Sequence, residues 1–159
     1  MIFVTVGSQK FQFNRLLEAI DSLCAERRIE EEVFAQTGYS DYEPKHYTYR
    51  HFLNRQEFAQ VTNRADIVIT HGGTGSIIGA IKKGKKVIAI PRLAKYQEHV
   101  DDHQLQLLEQ FAEMNLIQAC LECDKLANAI DEARKKEFGS YISKQEAIIG
   151  SIERFIETL

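Results

Sequence analysis

Tryptophan is missing from this chain, and 159 residues carry only two prolines, Pro44 and Pro91. With so little proline and no run of glycine and serine, nothing reads as a linker, so one domain is expected. Long apolar runs are missing too: no stretch approaches the roughly 18 uninterrupted apolar residues of a membrane span. Excess basic charge is also lacking. A net charge of -3 and a pI near 6.0 argue against nucleic acid as a partner, which would call for a basic surface. The opening Met1-Ile-Phe-Val-Thr-Val-Gly7 has neither a basic n-region nor a small-residue cleavage site, so export is not expected. Cysteine is scarce and odd in number: Cys24, Cys120 and Cys123. That count suits a reducing cytoplasm rather than a disulfide framework. Cys120-Leu-Glu-Cys123 has redox or zinc spacing, but no second pair or nearby histidine accompanies it. Reduced thiols at a strand-to-helix junction are expected, with no metal and no cofactor.

What the chain does have is alternation of element types. Ile2–Val6 is an apolar, β-branched run closed by Gly7, the pattern of a buried strand. Asn14 is placed to cap a helix with Leu16, Leu17, Ile20 and Leu23 on one face, ending near Arg28. Further strands are expected at Val33–Gln36, Tyr47–Leu53, Ile67–Thr70, Val87–Ile90 and Leu116–Cys120. Between them, helices are expected over Arg55–Arg64, Gly75–Lys83 and His99–Met114, the last carrying Leu105, Leu108, Phe111 and Ala112 at helical spacing. Tyr39–Lys45 reads as a surface loop. Amphipathic helices over Lys125–Lys136 and Ser143–Thr158 complete the chain. Strands alternating with helices of this length imply a parallel sheet covered on both faces, hence an α/β fold. Such sheets bind ligands at the carboxyl ends of their strands.

One turn stands out at that edge. Ile67-Val-Ile-Thr70-His71-Gly72-Gly73-Thr74-Gly75-Ser76 runs from a buried strand through three glycines into an apolar helix. Bare amides and the positive end of a helix dipole meet there, an arrangement suited to phosphate. Gly79-Ala-Ile-Lys-Lys-Gly84-Lys85 has part of a P-loop spacing, but Lys86 follows in place of Ser or Thr and the residues span a helix end. Gly73-Thr-Gly75-Ser-Ile-Ile-Gly79 falls one residue off the dinucleotide fingerprint, and Pro91-Arg92 closes the next strand where an acid belongs. Anion binding outside both motifs is the leading reading, against glycines that serve only a tight turn.

The glycine loop, then Lys83-Gly84-Lys85-Lys86-Val-Ile-Ala-Ile-Pro91 and Asp102-His103-Gln104, together with Phe3-Val-Thr-Val-Gly7-Ser8-Gln9 and Phe52-Leu53-Asn54, resemble the C-terminal, donor-binding domain of glycosyltransferase family 28. The subgroup most similar is that of the small PssE-like subunits of bacterial exopolysaccharide and capsule synthesis. The resemblance implies a single Rossmann-like domain, a parallel sheet flanked by helices, equivalent to the C-terminal half of a GT-B fold. It implies a UDP-sugar donor. Gly7, Ser8 and Gln9 match the first phosphate loop; Thr74, Gly75 and Ser76 match the second. Phe52 and Leu53 match the stretch facing the uracil, and Asp102, His103 and Gln104 the positions holding sugar hydroxyls. Related transferases carry a ribose-binding glutamate where this chain has Gly79.

His71 is a candidate phosphate donor and the one catalytic candidate, against a structural role at the strand end. His99 and His103 lie four residues apart, but Val100 stands where the zinc-protease motif has glutamate. Sugar or phosphate contact and a solvated helix start are the readings left for them. Lys82, Lys83, Lys85 and Lys86 read as a solvated cluster complementing a helix dipole, against contact with an anionic membrane or a partner protein. The resemblance further implies that a membrane-anchored partner subunit supplies the acceptor site, the lipid-linked acceptor and the catalytic base. This chain would work in the cytoplasm at the inner face of the plasma membrane. The alternative is a non-catalytic accessory subunit that stabilises that partner.

Overall fold

Alternate residues of the central strands face opposite sides of the sheet, and that alternation divides the core in two. The computed structural model describes residues 1–7, 9–99 and 102–139. Its strands are β1 (Ile2–Thr5), β2 (Val33–Gln36), β3 (Thr48–Arg50), β4 (Ile67–His71), β5 (Lys86–Ile90) and β6 (Gln118–Ala119). All pair in parallel, in the order β3-β2-β1-β4-β5-β6. The helices are α1 (Asn14–Ala25), α2 (Arg55–Arg64), α3 (Thr74–Lys82), α4 (His103–Glu113) and α5 (Leu126–Lys135).

On one face, Ile2, Val4, Ile67, Ile69, Ile88 and Ile90 pack with Leu16, Leu17 and Ile20 of α1 and Leu126 and Ile130 of α5. On the other, Phe3, Val68, Val87 and Ala89 meet Ile77 and Ile81 of α3 and Leu107, Leu108 and Phe111 of α4. The rings of Phe3 and Phe58, edge to face at 5.2 Å, join α2 to this side. Burial on both faces is why the strands read as continuous apolar runs. Among the described residues no helix is long and apolar enough to cross a membrane.

Chain connections leave β1 and β4 toward opposite edges of the sheet, which opens a crevice beyond their carboxyl ends. The register Thr5↔Thr70 brings those ends level.

Several local expectations are corrected. Asn14 does not cap α1: Phe13 holds the cap position with no side-chain bond, and Asn14 Oδ1 accepts the Tyr42 N–H at 3.1 Å. The loop after β2 competes successfully for that amide oxygen. α1 ends at Ala25 rather than near Arg28, because the chain turns through Arg27 at φ 58°. α4 begins at His103, not His99, and buries Leu107 where Leu105 was expected. β6 is only Gln118–Ala119, and β3 stops at Arg50. The C-terminal helix expected near 143–158 lies outside the described residues.

The lysine cluster has work to do at helix ends. α3 closes on a Schellman motif, Gly84 N–H to Ile81 O at 2.9 Å and Lys85 N–H to Ala80 O at 3.1 Å, with Gly84 at φ 72°. Lys85 Nζ then donates to Asn63 O at 2.9 Å and Lys86 Nζ to Arg134 O at 2.8 Å. Two of the four lysines therefore satisfy last-turn carbonyls of α2 and α5, where cations also complement the dipole.

Asp21 anchors the polar loop to α1. Its carboxylate is buried and accepts Tyr42 Oη–H at 2.6 Å, Lys45 N–H at 2.9 Å and His46 N–H at 2.8 Å, with His46 Nδ1 at 3.0 Å. Burial by itself would raise its pKa, but these bonds favour the carboxylate and the group titrates below its ordinary value. Its stabilisation is therefore present above the ordinary carboxylate pKa and lost as pH falls through the lower, folded one. Asp21→Ala is expected to destabilise the fold by about 2–4 kcal/mol in urea titrations at neutral pH, with faster amide exchange at Lys45 and His46.

Candidate functional site

Beyond the carboxyl ends of β1 and β4, two sets of backbone groups face one region. Gly73 caps α3 in an extended conformation, and the first intrahelical bond of that turn is Ile77 N–H to Gly73 O at 3.2 Å. The N–H groups of Thr74, Gly75 and Ser76 occupy the first turn, where a helix has no acceptors of its own. The dipole makes this end attractive to an anion. Gly7 closes β1 at φ 77°, a left-handed conformation that glycine adopts without strain. Thr5, Gly75, Ser76 and Gly79 line a common cavity of about 70 Å³. A side chain at Gly79 would meet nothing within 4 Å, so no packing constraint demands glycine there.

His71 joins the two loops. A Cβ at Gly7 would lie 2.6 Å from His71 Nε2, and one at Gly73 would overlap the same ring. Both glycines are thus needed for the imidazole to fit between them. The ring is buried, and its Nδ1 has no hydrogen-bond partner among the described residues; Thr70 Oγ1, on the preceding residue of β4, also has none. Burial foremost, then the nearby charges of Arg92 and His99, lowers the His71 pKa to about 3. At neutral pH the ring is an uncharged imidazole.

The remaining sequence-predicted residues are unevenly placed. Gln104 is buried, and its Oε1 accepts the N–H groups of Gly72 at 3.2 Å and Arg92 at 3.0 Å. That oxygen binds the loops after β4 and β5 together, leaving Nε2 as the group able to donate elsewhere. Asp102 is exposed and accepts the Ala94 N–H at 2.9 Å, while His103 is partly buried at the start of α4. Gln9 is exposed; Ser8 lies outside the described residues. Phe52 and Leu53 follow β3 at the other side of the crevice. The Leu53 N–H is taken by Gln36 Oε1 at 2.9 Å, and Gln36 Nε2 reaches Thr5 Oγ1 at 3.3 Å. Phe52 is exposed and packs edge to face with exposed Tyr39 at 5.1 Å. No group of three or more His, Cys, Asp and Glu side chains among the described residues could hold a metal ion.

Sequence reasoning missed the charged residues beneath these loops. Arg92 is fully buried, and Glu98 nearly so. Arg15 grips Glu98 with two bonds of 3.0 Å, Nε to Oε2 and Nη2 to Oε1, while Glu98 Oε1 also accepts the Leu93 N–H at 3.1 Å. Gln12 Nε2 donates to Tyr96 O at 3.0 Å and Gln97 O at 3.1 Å, lacing the loop after β1 to the loop after β5. The available signal was an arginine placed directly after the proline that closes a buried strand.

The neutral His71 has a stability consequence. Its folded pKa lies below the unfolded value, so between about pH 6.5 and 3 the unfolded chain takes up a proton that the folded one declines. Stability therefore rises with pH across that interval. His71→Asn, which cannot titrate, is expected to flatten the dependence: the wild-type difference in unfolding free energy between pH 7 and pH 4 exceeds the variant's by up to roughly 3 kcal/mol. Urea titrations of both proteins at the two pH values check this.

The sequence matches the glycosyltransferase family 28 C-terminal domain over residues 1–158. The UDP-N-acetylglucosamine transferase subunit ALG13 of Kluyveromyces lactis is 30% identical over 78 residues, 48% of this chain and 38% of that protein. The chain thus spans well under two thirds of that relative's length. The NMR solution structure of ALG13 superposes with a TM-score of 0.63 at 17% identity, covering 98% of this chain and 94% of its own. The crystal structure of the glycotransferase of kitacinnamycin gives 0.61 at 15% identity, covering 99% of this chain but 39% of that one. Such identities speak to the fold: one six-stranded parallel sheet with flanking helices, the C-terminal half of a GT-B architecture. The chain belongs to the glycosyltransferase family 28 C-terminal domain family.

Proposed function

We propose that this chain is the donor-side subunit of a two-chain glycosyltransferase and holds the diphosphate of a UDP-sugar between the loop after β1 and the first turn of α3. The observation that carries the reading is the meeting of Gly7 and Gly73 on the His71 ring at the β1–β4 crevice. As the glycosidic bond breaks, charge gathers on the leaving diphosphate. Fixed amides at Thr74, Gly75 and Ser76 and the α3 dipole stabilise that charge without reorganising, with the Gly7 N–H, which donates to Thr5 Oγ1 at 3.4 Å, beside them. Hydroxyls of Ser8, Thr74 and Ser76 add donors, and neutral His71 can donate one hydrogen bond to phosphate. Uracil lies against Phe52 and Leu53, and the donor sugar against Asp102, His103 and Gln104. The scheme needs no cofactor.

A GT-B active site lies between two halves, and the chain provides the fold of one. The resemblance to small donor-side subunits supports placing the acceptor site and the catalytic base on a membrane-anchored partner subunit, which recruits this chain to the cytoplasmic face of the membrane. The name of the relative ALG13, a UDP-N-acetylglucosamine transferase subunit, supports both the UDP-sugar and the subunit character. The motif resemblance to PssE-like subunits is the support for a lipid-linked acceptor in surface polysaccharide synthesis at the plasma membrane. Gly79, where relatives carry a ribose-binding acid, favours the second reading, an accessory subunit that stabilises a partner already competent for transfer.

Calorimetry with UDP tests the phosphate role: Ser76→Ala is expected to weaken binding by about five- to tenfold, and an unchanged affinity removes Ser76 from the site. The isolated chain is expected to show negligible sugar transfer, with activity restored by the partner. Full activity alone would sink the two-chain reading, while enhancement of the partner without any nucleotide binding would select the accessory role.

A further inference from the structure

Arg92 is a fully buried cation whose side-chain acceptors are main-chain carbonyls. Nη1 donates to Phe11 O at 3.0 Å and Nη2 to Val6 O. Those two carbonyls bracket residues 7–10, so one planar guanidinium grips the loop after β1 at both ends. Its carbon sits 5.5 Å from the centroid of the Phe13 ring, which supports it from one side. The Arg92 N–H is held by the same Gln104 oxygen that takes the Gly72 N–H. Arg92 and Gln104 together therefore tie the loops after β1, β4 and β5.

Burying a guanidinium is costly, and the carbonyls could have been satisfied by neutral donors. Arginine adds a rigid fork with a fixed spacing between donors, which neither lysine nor glutamine reproduces. The peptide plane transmits that spacing: with Val6 C=O turned in to Arg92, the trans geometry turns the Gly7 N–H away from the guanidinium. The direction of the Gly7 amide, whose N–H lies 3.4 Å from Thr5 Oγ1, is thus set from beneath, before any ligand arrives. The neighbouring acid, Glu98, is already gripped by Arg15 and the Leu93 N–H.

We infer that Arg92 is a positioning residue of the donor site: it fixes the Val6–Gly7 and Phe11 ends of the loop after β1 in the orientation that receives the phosphates. This rests on the UDP-sugar reading above. A loop-orienting residue should matter to phosphate and not to the base and ribose, whereas a residue serving only general stability should affect all parts of the nucleotide alike.

The test compares UDP with uridine on the full-length chain. Arg92→Lys is expected to weaken UDP binding about tenfold and leave uridine binding unchanged, with faster hydrogen exchange confined to amides between Val6 and Gln12. A second measurement needs no variant: the Arg92 Nε–H NMR resonance of the wild-type protein should shift on titration with UDP and stay fixed with uridine. Equal weakening of UDP and uridine, unchanged UDP binding in the variant, or an unmoved resonance at saturating UDP overturns the positioning role alone. A wild-type chain that binds no UDP overturns the donor-site reading, and this inference with it.

Discussion

Buried main-chain groups must find partners, and at the carboxyl edge of this sheet they find them in side chains. Parallel strands end abruptly there, and the loops that follow cannot continue the ladder. Gln104 takes two N–H groups, Arg92 takes two carbonyls, Gln36 takes the Leu53 N–H, and Glu98 takes the Leu93 N–H. Ser40 Oγ does the same for the Phe13 N–H, and at the amino end of β3 Asp21 takes the Lys45 and His46 N–H groups. Each bond is modest by itself, yet losing one strands a buried group, which is the costlier event. The loops are held in place from within, and their outward faces are left to meet a ligand.

The electrostatics of the crevice follow from that packing. His71 is wedged between two glycines and kept uncharged by burial and by Arg92. Arg92 itself is buried deeply enough that its pKa falls to about 10, still well above neutral pH, so it remains a cation. The α3 dipole adds positive potential at the same end. The groups that line the cavity beside the first turns of α3, Thr5, Gly75, Ser76 and Gly79, carry no fixed negative charge. The arrangement favours a negatively charged guest without a metal to hold it.

Much of the fold was legible because its signals are local. Apolar runs marked four of the six strands closely and the positions of the other two, and the glycines at 7 and 84 marked real chain reversals. The phosphate-loop candidates were legible for the same reason, since glycine-rich turns between a strand and a helix carry their purpose in adjacent residues. Where prediction missed, a distant group had won. Asn14 was drawn from a helix cap to the Tyr42 amide. Lys85 and Lys86, read as solvated, cap helices that precede and follow them at a distance.

The order of apolar and polar residues alone determined an α/β chain with a parallel sheet, and the glycine loop alone pointed to an anion. Both rest on interactions between near neighbours in sequence, where spacing is geometry. Which strands adjoin, and therefore that the loops after β1 and β4 share one crevice, was decided only by the tertiary structure. So was the role of Arg92, whose partners lie 81 and 86 residues away. A buried charge is stable only where folding brings the acceptors to it, and no local pattern records where those acceptors come from.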